Sequence, residues 1–361
     1  MKTKPQIVPD SLIIAIIIHT LIGWGYLYLV KTALTHLNYN CYLGLIPAVI
    51  IISPFLLIVY DLACIFPNKA ISEIFMLIFG KIVGKLIAIN FLFYLLLFLT
   101  LALRDAQTMV YTYFFDRTPF FLFTAVVLIA SLYLGLKGVH SIGRLAAFML
   151  LPPLALLLLM TLLGLSNVNL NNIQPMLGGS AFKWLQAGSN LTLVLLPVLA
   201  IIYYLPFIEQ PKTVKKIGFI SLGVVVPLFF LALFGAIGVF GPSPAKKMVW
   251  PIVEFFHILD YPYLLLEQAG LFFLIAWYPF VFIGMTHGLF VIGNESRFIF
   301  PQIKRNWYTL AAAILIFIGA NLHVNPICLQ NFLSRFQELI SLSFLAIILI
   351  TWLAARWRFR K

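Results

Sequence analysis

The sequence predicts an all-α polytopic membrane protein with about ten transmembrane helices. Three observations predict it. Hydrophobic residues make up 63% of the 361 and charged residues only 10%, whereas a soluble domain needs roughly 25% charged residues to cover its surface. Apolar runs at 11–34, 42–65, 86–103 and 339–355 approach or exceed the roughly 20 residues that cross a hydrocarbon core. Strict two-residue alternation is absent, which argues against a transmembrane barrel.

The expected helices run near 11–36, 41–64, 85–114, 119–137, 144–166, 189–208, 214–240, 262–292, 307–322 and 334–356. Turn chemistry separates them: Phe66-Pro67-Asn68, Thr118-Pro119, Pro211, Gly241-Pro242-Ser243-Pro244 and Asn325-Pro326. The first apolar run exceeds a signal-peptide core and no small-residue cleavage site follows it, so it reads as a span. The ninth is the shortest.

The charge is sided. Of the 24 Lys and Arg residues, seventeen fall in segments on the N-terminal side, six on the other side, and Arg104 alone within a span. Such a bias places both termini in the cytoplasm. It also accounts for the net charge of +13 without nucleic acid. Cys41, Cys64 and Cys328 share no metal-ligand spacing and read as packing residues. Neither a metal nor a cofactor is expected. No phosphate loop, zinc-protease motif, CxxC or nucleophile–base set stands out, so the chain is not expected to be an enzyme.

Ten spans divide into two fives of opposite orientation, an inverted repeat within one transmembrane domain, 1–361. The halves are 11–166 and 189–356. Semi-polar stretches at 68–84 and 244–261 lie at matching places and are long enough for interfacial helices. Such a repeat puts the ligand site where spans one and six break at mid-membrane. Span one carries Gly23-Trp24-Gly25, and each helical glycine costs about 1 kcal/mol relative to alanine. Span six carries Pro197, which removes a helix hydrogen bond, and Pro206. Freed amides there could bind a carboxylate. The same residues also fit ordinary helix packing and a proline kink.

Other polar residues lie in or near the spans. Arg104 and Asp105 point about 100° apart on span three, so each should meet another helix as an interhelical lock or gate. His19 and His287 are titratable, as proton carriers or packing residues. Glu254 and His257 lie one turn apart on the second semi-polar stretch, and Glu267 and Gln268 begin span eight. Thr286, Ser341 and Ser343 are candidate cavity hydroxyls.

Several stretches, in order, resemble the spore germination permease family, the GerAB-like B subunits of nutrient germinant receptors, within the amino acid–polyamine–organocation superfamily. They are Phe66-Pro67 with Ile71-Ser72-Glu73, Phe79-Gly80-Lys81-Ile82-Val83-Gly84-Lys85-Leu86, Leu103-Arg104-Asp105, 172–178, Leu205-Pro206-Phe207 with Pro211-Lys212, Val239-Phe240-Gly241-Pro242, and Trp250-Pro251-Ile252-Val253-Glu254. The resemblance implies a LeuT or amino acid permease-like fold in the spore inner membrane. It implies partnership with A and C receptor subunits, and a small germinant, commonly an amino acid, as ligand. The pocket it implies is framed by Gly23, Trp24, Gly25, Pro197 and Leu199, with Tyr94 and Thr286 added. Two departures stand out. Trp24 is large for the middle of a Gly-x-Gly element, and Leu199 stands where many relatives carry a glutamate. Two rivals use the same scaffold: a stand-alone H⁺- or Na⁺-coupled amino acid transporter, and a passive water or ion conduit.

Overall fold

A computed structural model of the chain describes residues 7–35, 37, 40–174, 180–259, 269–322 and 326–359. Every regular element among them is helical. The first is α1, Asp10–Ala33, which is continuous. This corrects the expected break at Gly23-Trp24-Gly25, and the glycines themselves explain it. A Cβ on Gly23 would lie 2.6 Å from the Phe280 carbonyl oxygen, and one on Gly25 would lie 3.0 Å from the Phe229 and Val194 side chains. The two glycines let neighbouring helices press against α1 on two sides. Their amides stay in the helix ladder, and surrounding contacts outweigh the propensity loss.

After α1 a 3-10 turn, Cys41–Gly44, leads into α2, Leu45–Ile65. The Phe66-Pro67-Asn68 turn places Asn68 at φ 58°. A short helix follows, α3, Ile71–Phe79. It buries Ile71, Ile74, Phe75 and Ile78, one stripe at helical spacing. Gly80, at φ 83°, turns the chain directly into α4, Lys81–Tyr113. Then come α5, Phe120–Lys137, α6, Val139–Phe148, and α7, Leu151–Gly164. The fifth expected span, 144–166, is therefore a bent pair that starts earlier, with 42° between its arms. Pro152 and Pro153 open the second arm. Proline cannot donate to the preceding turn and clashes with it, so the elbow falls just before the pair.

The second half begins with α8, Ala181–Leu195, which passes into a 3-10 segment, Leu196–Phe207. Then follow α9, Thr213–Phe240, two short helices, α10, Pro242–Lys247, and α11, Pro251–His257, and α12, Ala269–Ile299. The last are α13, Arg305–Asn321, and α14, Pro326–Phe359. Both semi-polar stretches thus carry helices, α3 in one and α10 with α11 in the other.

Among the described residues eight helices are long and apolar enough to cross a bilayer, and the bent pair makes a ninth. With α13, whose 17 residues sit at the short end of the spanning range, each of the ten expected segments has a helical counterpart. Three elements form the centre. In their most apolar stretches α1 is 89% buried, 182–207 is 78% and α12 is 67%, against 28–50% for the other spans. Lipid-facing surfaces fall on the outer helices, at Ile82, Val126, Ile129, Leu151 and Leu353. The face where α1 begins is called the N-terminal face below.

Because the Gly23 contact is with backbone, α12 cannot yield as a side chain would. Gly23→Ala is expected to destabilise the protein by about 1–3 kcal/mol through overpacking. Thermal unfolding of the detergent-solubilised full chain checks this; an unchanged midpoint would mean that the two helices separate freely.

Candidate functional site

Of the two breaks expected, in spans one and six, the sixth span alone carries irregular backbone. Its 3-10 segment runs for twelve residues, although 3-10 runs beyond three or four residues are uncommon because their hydrogen bonds are poorly aligned. Pro197 sits at its start and Pro206 near its end. Pro197 lacks the N–H that an α-helical continuation would use, which favours the change of helix type at Leu196. Leu199, Ile201, Ile202 and Tyr204 within the segment are fully buried. Contacts with α1, α2, α8, α9 and α3 surround it. Non-α backbone at this depth survives only inside such a jacket or beside a cavity.

Beside this segment, aromatic rings connect α1 to α12 through α4 and α14. Trp24 of α1 meets Phe98 of α4 edge-on at 5.9 Å. Phe98 lies 6.2 Å from Tyr94 on the same helix, and Tyr94 lies 6.0 Å from Phe344 of α14. Phe344 stacks on Phe91 at 4.5 Å, and Phe91 faces Tyr203 of the 3-10 segment. Tyr203 and Tyr204 both flank His287 of α12. The Tyr204 hydroxyl is 2.5 Å from His287 Nδ1, a fully enclosed polar pair. Rings in such edge and offset contacts present flat apolar faces and a few polar edges, the usual lining of a small-molecule site.

Trp24 and Tyr94 belong to this chain of rings, Leu199 is buried within the 3-10 segment, and Pro197 opens that segment. Trp24 is 4% exposed, and its indole nitrogen side packs over Gly284 of α12. Gly23 and Gly25 are packing positions, the first against α12 and the second against α8 and α9. The Thr286 hydroxyl donates to the Phe282 carbonyl of its own helix at 2.8 Å, and its backbone lies against Gly135 of α5. His19 is fully buried, lies 2.8 Å through Nδ1 from the Ala15 carbonyl and rests 4.8 Å from the Phe280 ring.

A polar network closes the face opposite the N-terminal one. Asp105 accepts a hydrogen bond from Tyr28 of α1. Arg104 donates to the Leu322 carbonyl at the end of α13, at 2.5 Å. One turn on, Gln107 accepts from Thr124 of α5 and donates to the Phe120 carbonyl and to Asn321 of α13. Arg104 and Asp105 therefore reach different helices, joining α4 to α13 and α1. On the same face the Tyr113 hydroxyl donates to Glu254 at 2.6 Å, tying α11 to α4, while His257 lies beside the Tyr113 and Phe114 rings. Glu267 and Gln268 lie outside the described residues.

Three features escaped sequence reasoning. Glu295, placed in a loop by the expected end of span eight at 292, lies inside α12, which runs to Ile299. It is buried and accepts from the Ser72 amide at 3.1 Å and hydroxyl at 2.6 Å, joining α12 to α3. Asp61 of α2 accepts from Trp352 and pairs with Arg356 of α14. Tyr204 pairs with His287. An acid next to Asn294 at the end of an apolar run, and a doubled tyrosine in span six, were the available signals.

Comparisons with known proteins fit this arrangement. A family model described as "Spore germination protein" matches residues 7–326. Spore germination protein YndE of Bacillus subtilis (strain 168) is 26% identical over 225 residues, 61% of each chain. Spore germination protein B2 of the same organism is 26% identical over 215 residues, 58% of this chain and 57% of that protein. Spore germination protein KB is 23% identical over 253 residues, 66% of this chain and 67% of that protein. The matches to the first two span about three fifths of those relatives' lengths. Among solved structures, MhsT in complex with L-phenylalanine superposes with a TM-score of 0.65 at 12% identity, over 96% of this chain and 89% of that one. At that identity the likeness is one of fold, a LeuT-like arrangement.

Tyr204→Phe keeps the ring and removes the hydroxyl, leaving His287 Nδ1 enclosed with no partner. A loss of about 1–3 kcal/mol follows from the desolvation of an unpaired buried group. Chemical or thermal unfolding of the purified variant measures it; wild-type stability would mean that the pair contributes nothing.

Proposed function

The chain belongs to the spore germination protein family, and from that premise we propose that it is the B subunit of a nutrient germinant receptor. It binds a small germinant, an amino acid, and signals the end of dormancy through A and C subunits in the spore inner membrane. That it is an integral membrane protein follows from its apolar helices and its family.

The observation that carries the ligand site is the twelve-residue 3-10 segment, irregular backbone set against the ring-lined junction of α1, α4, α12 and α14. The proposed lining is Trp24, Tyr94, Phe98, Pro197 and Leu199, with the Tyr204–His287 pair as its polar edge. Gly23 and Gly25 support it from behind, and Thr286 stands outside it. The unbroken α1 removes the freed amides as a carboxylate site, so recognition rests on ring faces and on span six. MhsT was solved with L-phenylalanine bound, and a shared fold with that protein supports an amino acid as ligand class.

Signalling needs two states that the germinant tells apart, because equal affinity for both shifts nothing. The halves 11–166 and 189–356 would be the bodies that rearrange. Arg104 and Asp105 would hold one end of the junction closed, since both lie on α4 and grip helices on either side of it.

Trp24→Ala would open the junction by the volume of an indole. Spores carrying this variant at wild-type protein level should shift their half-saturating germinant concentration about tenfold or more, equivalent to about 1.4 kcal/mol, and accept amino acids with larger side chains. An unchanged dose–response across an amino acid panel would refute the pocket. Labelled amino acid accumulating in proteoliposomes that contain this chain alone would instead make it a secondary transporter.

A further inference from the structure

Among the described residues three buried side-chain atoms have no hydrogen-bond partner: His19 Nε2, Trp277 Nε1 and Glu295 Oε1. Glu295 is the acid among them. A lone carboxylate is the costliest of such groups to leave bare, because burial strips its hydration and nothing replaces it.

Glu295 is 1% exposed. One oxygen is served twice by Ser72, through the amide and the hydroxyl, and nothing reaches the other. No basic side chain pairs with it among the described residues; the nearby cations are engaged elsewhere. Arg305 donates to the Leu136 carbonyl at 2.6 Å, Arg358 to the Ile78 carbonyl at 3.1 Å, and Arg356 pairs with Asp61. Lys85 lies over the Phe300 ring and Arg297 over the Phe298 ring. The titratable groups that do act on Glu295 carry no positive charge: Glu73 from α3 and Tyr203 from the 3-10 segment. Among the described residues no donor and no cation partners the bare oxygen.

We propose that Glu295 binds an exchangeable monovalent cation, a proton or a sodium ion, at Oε1, on the N-terminal face between α3, α12 and the 3-10 segment. One positive charge matches one carboxylate. A divalent metal would need further anionic or imidazole ligands, and no group of three His, Cys, Asp or Glu suited to a metal exists among the described residues. The site borders the ring-lined junction at Tyr203 and shares none of its proposed lining. Losing the cation leaves a bare buried charge near Glu73. The Ser72 bonds to the carboxylate strengthen, but the unpaired charge disfavours the close packing of α3 on α12, so occupancy governs how firmly α3 is seated.

Thermal unfolding of the full chain in detergent tests this, with NaCl compared with choline chloride at equal ionic strength across a pH series. A sodium site raises the wild-type midpoint by a few degrees in NaCl at fixed pH. A proton site lowers the midpoint by a similar amount as pH rises in choline, with no sodium effect. In either case Glu295→Gln removes the dependence. A wild-type midpoint indifferent to both cations, or a Glu295→Gln variant that keeps the wild-type response, overturns the proposal. If Glu295→Gln does not fold, Ser72→Ala decides. It keeps the carboxylate but removes the hydroxyl, so the response should move along the sodium or pH axis; an unmoved response is the contrary result.

Discussion

A bilayer offers its interior no water, so a peptide group there must be bonded within its own helix or enclosed by protein. The 3-10 segment Leu196–Phe207 meets this demand least well by itself, and the rest of the molecule is arranged to shelter it. The most deeply buried span, α1, runs straight past it. Gly23 and Gly25 draw α12, α8 and α9 against that helix. A helix broken in the same place would have left two imperfect ladders facing each other. One intact and one altered span is the arrangement in which the intact one supports the other.

Much of this was legible in the sequence because it depended on summed properties. Ten apolar segments, their turns and the helices of the two semi-polar stretches follow from composition, proline and glycine. What was not legible depended on partners distant in the chain. Gly23 looks the same whether it frees an amide or admits a neighbour, and only the Phe280 carbonyl 2.6 Å from its missing Cβ separates the two. Pro152 and Pro153 were present to be read, yet the elbow before them was not anticipated, because prolines opening a helix are ordinary unless a preceding helix is known to end there.

The polar residues divide in the same way. Arg104 and Asp105 were conspicuous as charges inside an apolar run, and 100° of helical rotation was enough to send them to separate partners. Glu295 escaped notice because a helix end drawn seven residues early left it in a loop. Its burial reflects the length of α12, and its bond to Ser72 joins residues 223 positions apart. The family resemblance located the fold but pointed to position 199 for an acid, where this chain has leucine. The buried carboxylate beside the altered span comes from α12 instead.

Two of the three short helices, α3 and α11, are fastened crosswise. From the first half of the chain, α3 is gripped by Glu295 and Arg358 of the second; from the second half, α11 is gripped by Tyr113 of the first. Each half therefore wears a buckle whose tongue belongs to the other, one on either side of the membrane. Tilting the halves to slacken one buckle would strain its counterpart, so neither fastening can be released without loading the other.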